Sequence, residues 1–497
     1  MAVEKICGIE TEYGIVRRGT KDSNPVASSS VLVNAYAGLG NQRVGWDFED
    51  EHPGRDARSG LDMVGTPDLE SHLVNTVLTN GARFYVDHAH PEYSSPECRT
   101  PMEATRYDLA GEYVLRAAMD LSAALLPEGQ SIVVYKNNSD GKGNSYGCHE
   151  NYLVARSVPF DAVVRAVMAH FVTRQVIVGA GKVTAEAPTS WYPGGRRPAF
   201  QLSQRADFME ETVGLETTIK RPIVNTRDEP HADPGRFRRL HVIVGDANRS
   251  EVATFLKLAT TALLLAMVED DYPIPLGVPD DPVSAIRTVS CDPTLRATVG
   301  FPSGQYSGLD VQEALCDAAT SYVESGGGVQ ELGDDDAVRA VNLWREVIDV
   351  LRADPEHAAD CVDWVAKYRL VDAYRERHDC DWSDPRLAAL DLQYHDLRPQ
   401  RSTYERLGLR RLIDPVRAQE CAVAAPDDTR AWFRGECLRR WPRAVVAANW
   451  DSVVLDVGSG PLRRIPMMDP TRGTRAIVGA VVAACASPAE LLERLAD

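Results

Sequence analysis

Two stretches of this chain put charge on a face that a strand would normally bury. Arg83-Phe84-Tyr85-Val86-Asp87 has the aromatic and β-branched composition of a strand. Successive side chains on a strand point to opposite faces, so Arg83, Tyr85 and Asp87 share one face. Two of the three are charged, which is wrong for a packed core. A cation, a phenol and a carboxylate on one ledge suit a phosphate, a metal ion and a proton-transfer or nucleophilic step; an exposed edge strand is the ordinary alternative. Pro91 is expected to break the ladder and to deliver Glu92 on the turn as a second carboxylate.

The second stretch is Ile6-Cys7-Gly8-Ile9-Glu10-Thr11-Glu12-Tyr13. Its period of two sets Glu10 and Glu12 on one face and Ile9, Thr11 and Tyr13 on the other. Like charges side by side on a strand cost stability unless a cation sits over them. Mg²⁺ is commonly held by a few carboxylates plus substrate phosphates, and a solvated acidic face is the competing reading.

Two more segments add donors. Ser131-Ile132-Val133-Val134-Tyr135-Lys136 reads as a strand running into the glycine-rich loop 140–147, followed by Cys148-His149-Glu150-Asn151. Gly143-Asn144-Ser145-Tyr146-Gly147 matches the nucleophile-elbow pattern, but that elbow must join a strand directly to a helix, and here the strand ends well upstream. Neither Gly141-Lys142-Gly143 nor Gly181-Lys182-Val183 has a P-loop frame, and His149-Glu150 lacks the second histidine of a zincin. In Arg236 to Asn248, Leu240, Val242 and Val244 form an apolar face while Arg239 and His241 look the other way, as candidates for a phosphate or metal contact. The neighbouring cations, from Lys220 and Arg221 to Arg227, read as a basic lip for an anion or as a surface salt-bridge network.

Bulk properties narrow the classes. A net charge of −18 argues against nucleic acid as the main partner. Ten cysteines without a C-x-x-C pair read as free thiols in a reducing cytoplasm. The N-terminus enters a strand at once, so no signal peptide is expected. The most apolar run, Leu258 to Val268, is too short for a span of roughly 20 residues, so no membrane segment is expected. Amphipathic helices are expected at 104–126 and 252–269, with further helices at 335–353 and 357–377. A composition shift near 424–428 divides the chain, and a strand over 451–456 and a helix from Pro488 are expected in the tail.

Together, Gly8-Ile9-Glu10-Thr11-Glu12-Tyr13-Gly14, the 85–97 and 135–152 stretches and Asn225-Thr226-Arg227-Asp228-Glu229-Pro230-His231-Ala232-Asp233 resemble the actinobacterial Pup ligase/Pup deamidase family over nearly the whole chain. The family is similar to glutamine synthetase and γ-glutamyl-cysteine ligase in its catalytic sheet. The resemblance therefore implies an α+β fold, with a curved, mostly antiparallel sheet packed by helices in residues 1–424 and a small C-terminal α/β domain in residues 425–497. Two features resemble the deamidase branch rather than the Pup–protein ligase. One is Asp87-His88-Ala89-His90-Pro91-Glu92, where the ligase typically reads aspartate-valine-glycine-serine-histidine-proline-glutamate. The other is a polar insertion at about 38–76, carrying Trp46 and Phe48 among acids.

The resemblance also implies roles. ATP, or ADP plus phosphate, and Mg²⁺ would sit on one face of the sheet. Glu10, Glu12, Tyr85, Glu92, His149 and His241 would form the metal site, and Arg83, Ser95, Arg239 and Trp450 would contact nucleotide, although Trp450 also reads as a core tryptophan of the tail. Asp87 would be the catalytic carboxylate, with Arg205 and Arg227 clamping developing negative charge or a carboxylate of Pup. The expected partners are Pup and pupylated proteins of the proteasome pathway, in the cytoplasm. A long polar insertion in a compact domain is unusual unless it has a function, and regulation is the role expected for it.

Overall fold

The computed structural model describes residues 2–21, 23–38, 44–48, 51–58, 74–458 and 460–496. The alternating segments assemble into a six-stranded sheet in the order Phe237–Val242, Cys148–Ala155, Cys7–Glu12, His90–Ser94, Arg83–Asp87, Asn75–Val77, antiparallel throughout. Directly paired residues share a face. Glu12 pairs with Glu92, and Glu92 with Tyr85; Glu10 pairs with Ser94 on one side and His149 on the other. Asn151 pairs with His241, and Leu153 with Arg239. One face is thereby polar across its centre, with Leu153 and Val77 toward its ends, while Ile9, Tyr152, Val154, Leu240, Phe84, Val86 and Tyr93 are buried in the apolar clusters on the other.

The Arg83–Asp87 and His90–Ser94 strands form a tight hairpin in which Val86 pairs with Pro91, so Glu92 lies within a strand and not on a turn as expected. Proline is tolerated there because its missing N–H is not needed, and its carbonyl accepts from Tyr13 N at 3.0 Å. Ser131–Tyr135 does not join this sheet; it pairs with Gly14–Arg18 in a separate ribbon.

Helices Pro25–Ala37, Pro101–Ser122 and Glu251–Glu269 back the apolar face. Thr100 and Ser250 cap the latter two, their hydroxyls accepting from Glu103 N and Ala253 N. Glu251–Glu269 is not the amphipathic helix expected. It is long and apolar enough by composition to cross a membrane, yet 94% of that apolar window is buried inside the protein, which makes it the central core helix. Pro101–Ser122 approaches the sheet through Gly111, where an added Cβ would lie 2.5 Å from the Tyr93 ring. Gly111→Ala is expected to destabilise the protein by about 1–3 kcal/mol through overpacking, despite its better helix propensity, as measured by denaturant midpoint.

The tail strands Val445–Ala448, Ser452–Leu455 and Arg463–Pro466 form a second sheet, completed by a fourth strand from far upstream, Gly45–Trp46, which runs parallel to Val445–Ala448. Val44 and Trp46 pack there with Phe433, Leu438, Val453 and Leu455. The insertion expected as a plain polar loop thus supplies a strand and core side chains at its start, and its end runs into the Asn75–Val77 edge strand. Its centre, residues 59–73, lies outside the described residues.

Candidate functional site

The polar sheet face carries two groups of donors. In the first, Glu12, Asp87 and Glu92 present carboxylate oxygens within 4.8 Å of one another. Glu92 is buried and accepts from the Tyr85 hydroxyl. Burial, and then the charges of Asp87, Glu12 and Glu10, push its carboxyl well above the usual range. Glu12 accepts from Gly147 N at 2.9 Å and lies 3.5 Å from His90 Nδ1. Burial opposes its ionisation, but His90, His149 and that amide hold it at about 2. Gly147 has no room for a side chain, since a Cβ there would lie 2.2 Å from His149 Nε2. Asp87 sits at the hairpin end with 26% of its side chain exposed, its Oδ2 2.8 Å from the Nδ1 of His88, which occupies the turn at φ 50°.

In the second group, Glu10, His149 and His241 also bring ligand atoms within 4.8 Å. Asn151 organises it. Its Nδ2 donates to Glu10 Oε1 at 2.9 Å, while its Oδ1 accepts from Arg239 at 2.8 Å and lies 2.9 Å from His241 Nδ1. Burial lowers the His241 pKa well below normal, so its ring is neutral, the form that binds metals. Burial also opposes ionisation of Glu10, but His149, His241 and Arg239 keep its carboxyl below the usual range. Crowded carboxylates with a neutral imidazole fit divalent cations, whose charge would relieve the repulsion seen at Glu92.

Beside Glu10 a cavity opens between sheet and tail, walled by Gly8, Ser95, His231, Arg239, Arg430 and Trp450. Three of the four expected nucleotide contacts line it, and Arg83 does not. The Arg83 guanidinium is layered between Tyr85, at 3.8 Å, and Trp46, at 4.2 Å, and donates to Asn75. The Ser95 hydroxyl accepts from Ile9 N and donates to Pro96 O, so it braces the Gly8 backbone. Trp450 serves both roles read for it, lining the cavity and packing edge-on against Trp46 at 5.1 Å.

The two expected clamps differ. Arg205 is fully buried and spends its guanidinium on Ser145 Oγ, Tyr146 O and Ile243 O. Its Nε is left without a partner among the described residues, so burial and not occupancy separates Arg205 from a substrate carboxylate; its terminal nitrogens hold the 145–147 loop whose amide meets Glu12. This corrects its expected role as a clamp. The Arg227 backbone bridges to Asp56, and its buried Nε has no partner among the described residues. Asn151 and Glu229, which accepts from His52 N and pairs with Arg239, were not expected in the site. Asn151 had a signal: it lies two residues beyond His149 on the same strand face.

Two donor groups of this kind beside an arginine-walled cavity are what an enzyme requires to handle an anionic ligand with divalent cations. The chain belongs to the Pup-ligase protein family, whose profile matches residues 5–454. It is 47% identical to the depupylase of Acidothermus cellulolyticus and 45% identical to the Pup deamidase/depupylase of Mycobacterium tuberculosis, each over 99% of both chains. The Pup–protein ligase of Acidimicrobium ferrooxidans is 37% identical over 94% of this chain and 95% of its own. Among solved structures, the ligase PafA in complex with Pup superposes with a TM-score of 0.79 at 28% identity, covering 99% of this chain and 94% of that one. PafA in complex with ADP gives 0.73 at 32% identity, covering 82% and 89%.

Proposed function

We propose that this protein hydrolyses the side-chain amide of the C-terminal glutamine of Pup and the isopeptide bond between Pup and substrate lysines, with Mg²⁺ and a nucleotide as cofactor. The observation that carries this reading is end-to-end similarity to depupylases at 47% and 45% identity, against 37% for a ligase. The polar sheet face supports a glutamine-synthetase-like catalytic sheet within residues 1–424, and an apolar cluster built mostly from the tail, with Val44, Trp46 and Val77 added from upstream, supports residues 425–497 as a small C-terminal domain. Pup and pupylated proteins of the proteasome pathway are the partners, and the cytoplasm is the compartment.

Glu10, His149 and His241 on one side, and Glu12 and Glu92 with Tyr85 on the other, would hold Mg²⁺, and Ser95, Arg239 and Trp450 would flank the nucleotide. Mg²⁺ bound there would supply positive charge able to stabilise negative charge developing on the reacting carbonyl oxygen. Asp87 presents its carboxylate there, as base toward water or as nucleophile toward carbon, and both roles need it ionised. The oxygen of water ends bonded to the carbonyl carbon, the C–N bond breaks, and ammonia or the lysine amine leaves with a proton from that water. Arg227, whose guanidinium is not tied to backbone carbonyls among the described residues as that of Arg205 is, is the better placed clamp for negative charge. Hydrolysis is downhill without ATP, so the nucleotide is retained; ATP loss in step with ammonia release would overturn that.

Weighing Pup after incubation tests the function. Conversion of its terminal amide to an acid identifies the hydrolase, whereas no change in the amide form, with ATP-dependent joining of glutamate-terminated Pup to a lysine substrate, identifies a Pup–protein ligase.

We also propose a regulatory role for the insertion. Deleting residues 42–74 would remove Trp46 from the tail core, so removing 59–73 alone is the cleaner test. The shortened protein is expected to keep its melting temperature while its deamidation rate or nucleotide dependence changes. Identical kinetics with each nucleotide would mark the segment as a tolerated surface insertion.

A further inference from the structure

The tail is fastened to the main sheet by a charge cluster outside the donor groups. Arg434, on helix Ala431–Arg440, is fully buried. It donates to Glu97 Oε2 at 2.5 Å, to Gly81 O at 2.8 Å and to Trp450 O at 2.9 Å. Its guanidinium also lies over the Trp450 ring at 5.2 Å. Arg430, 3% exposed, donates to Glu97 Oε1 at 2.7 Å and to the carbonyls of His231 and Met467. Glu97 follows the His90–Ser94 strand by three residues and itself lines the cavity, together with Arg430, Trp450 and Pro470. Burial opposes its ionisation, but the two arginines hold it at about 2, so the cluster is charged at neutral pH.

We propose that Glu97 is a positioning residue: by gripping Arg430 and Arg434 it seats the tail so that Trp450, Pro470 and Arg430 form the outer wall of the nucleotide cavity, making tail docking and nucleotide binding one linked equilibrium. The wall has a second body-side tie, Arg236 donating to Asp469 Oδ2 at 2.9 Å beside Pro470, but Arg236 is 58% exposed, whereas Arg434 and Arg430 are buried on Glu97. Linkage is reciprocal: a ligand that needs the docked tail must tighten the docking. The inference rests on the proposed use of this cavity for nucleotide, not on the reaction catalysed.

A second contact gives independent access to the same equilibrium. Helix Ala431–Arg440 presses Gly435 against the Thr79 turn, where a Cβ would lie 2.3 Å from the Thr79 carbonyl oxygen. Alanine there favours the helix itself, so any loss must come from the docking.

The test uses the full chain and ADP with Mg²⁺. Glu97→Gln and Gly435→Ala are each expected to weaken ADP binding at least ~10-fold by calorimetry, the size of a typical coupling. In the wild type, ADP is expected to slow hydrogen exchange in Ser452–Leu455. Unchanged ADP affinity in either folded variant overturns the proposal. If the variants do not fold, the wild-type exchange decides it: no slowing with saturating ADP overturns it, and slowing supports it. Absence of deamidation in a protein that binds ADP and shows this protection would sink the functional reading while leaving the inference standing.

Discussion

Asp87→Asn is expected to abolish both amide and isopeptide hydrolysis while leaving the fold and Pup binding intact. Asparagine keeps the shape but removes the charge, the proton-accepting capacity and the nucleophilicity. Losing a general base or nucleophile costs about 10²- to 10⁴-fold or more. The partly exposed position of Asp87 at a hairpin end means the substitution strains nothing in the core. Its place beside Glu12 and Glu92 adds a second readout. If Mg²⁺ affinity stays within a few-fold of wild type while turnover disappears, Asp87 acts on the substrate. If metal affinity falls with turnover, it is a ligand. Retention of more than about a tenth of wild-type turnover, well short of a general-base loss, would exclude it from the chemistry.

Glu10→Ala is expected to act the other way, through binding. Glu10 receives Asn151, faces His149 at 3.4 Å and Arg239 at 3.7 Å, and borders the cavity. Removing it takes an anionic donor from the centre of the second group and leaves Arg239 with less negative charge around it. Loss of an outer-shell partner alone costs metal sites about 10- to 100-fold, so loss of a direct ligand should cost at least that much. ADP binding followed by calorimetry across an Mg²⁺ series should show this as a shift to higher Mg²⁺, with activity partly recovered at the top of the series. An unchanged Mg²⁺ dependence would remove Glu10 from the metal site.

What could be read from sequence was whatever repeats within one strand. The period of two placed Arg83, Tyr85 and Asp87 together, and likewise Glu10 with Glu12 and Arg239 with His241, because pleating is a local property. Which strand lies beside which is not local. That Glu12 faces Glu92, and Glu10 faces His149, depends on pairings between segments 80 to 140 residues apart, and nothing within either segment encodes its neighbour. Arg205 was misjudged for a related reason. A guanidinium suits a carboxylate in sequence, but burial under the 145–147 loop gives it backbone carbonyls first. The helix at 251–269 looked one-sided because its few polar residues were assumed to face water. Lys257 is in fact buried and donates to Asp246 O and Cys148 Sγ, so polarity in that helix marks internal partners. Glu97 carried no signal at all, since its two arginines lie 333 and 337 positions away.

The strand Gly45–Trp46 has a consequence for how the protein is made. The six strands of the main sheet have all been synthesised by Val242, roughly halfway along the chain. The tail sheet has to wait: the hydrogen bond from Asn449 to Asp47 spans 402 residues. At about 5–20 residues per second, Trp46 leaves the ribosome some 20–80 s before its partner strand exists. From Val242 onward, about the second half of that interval, the growing chain holds its donor-lined sheet face without the cover that Trp46 and Trp450 later build over one end. A nascent chain stalled before Val445 would therefore expose an aromatic strand with nothing to pair with, and would be a natural target for chaperones.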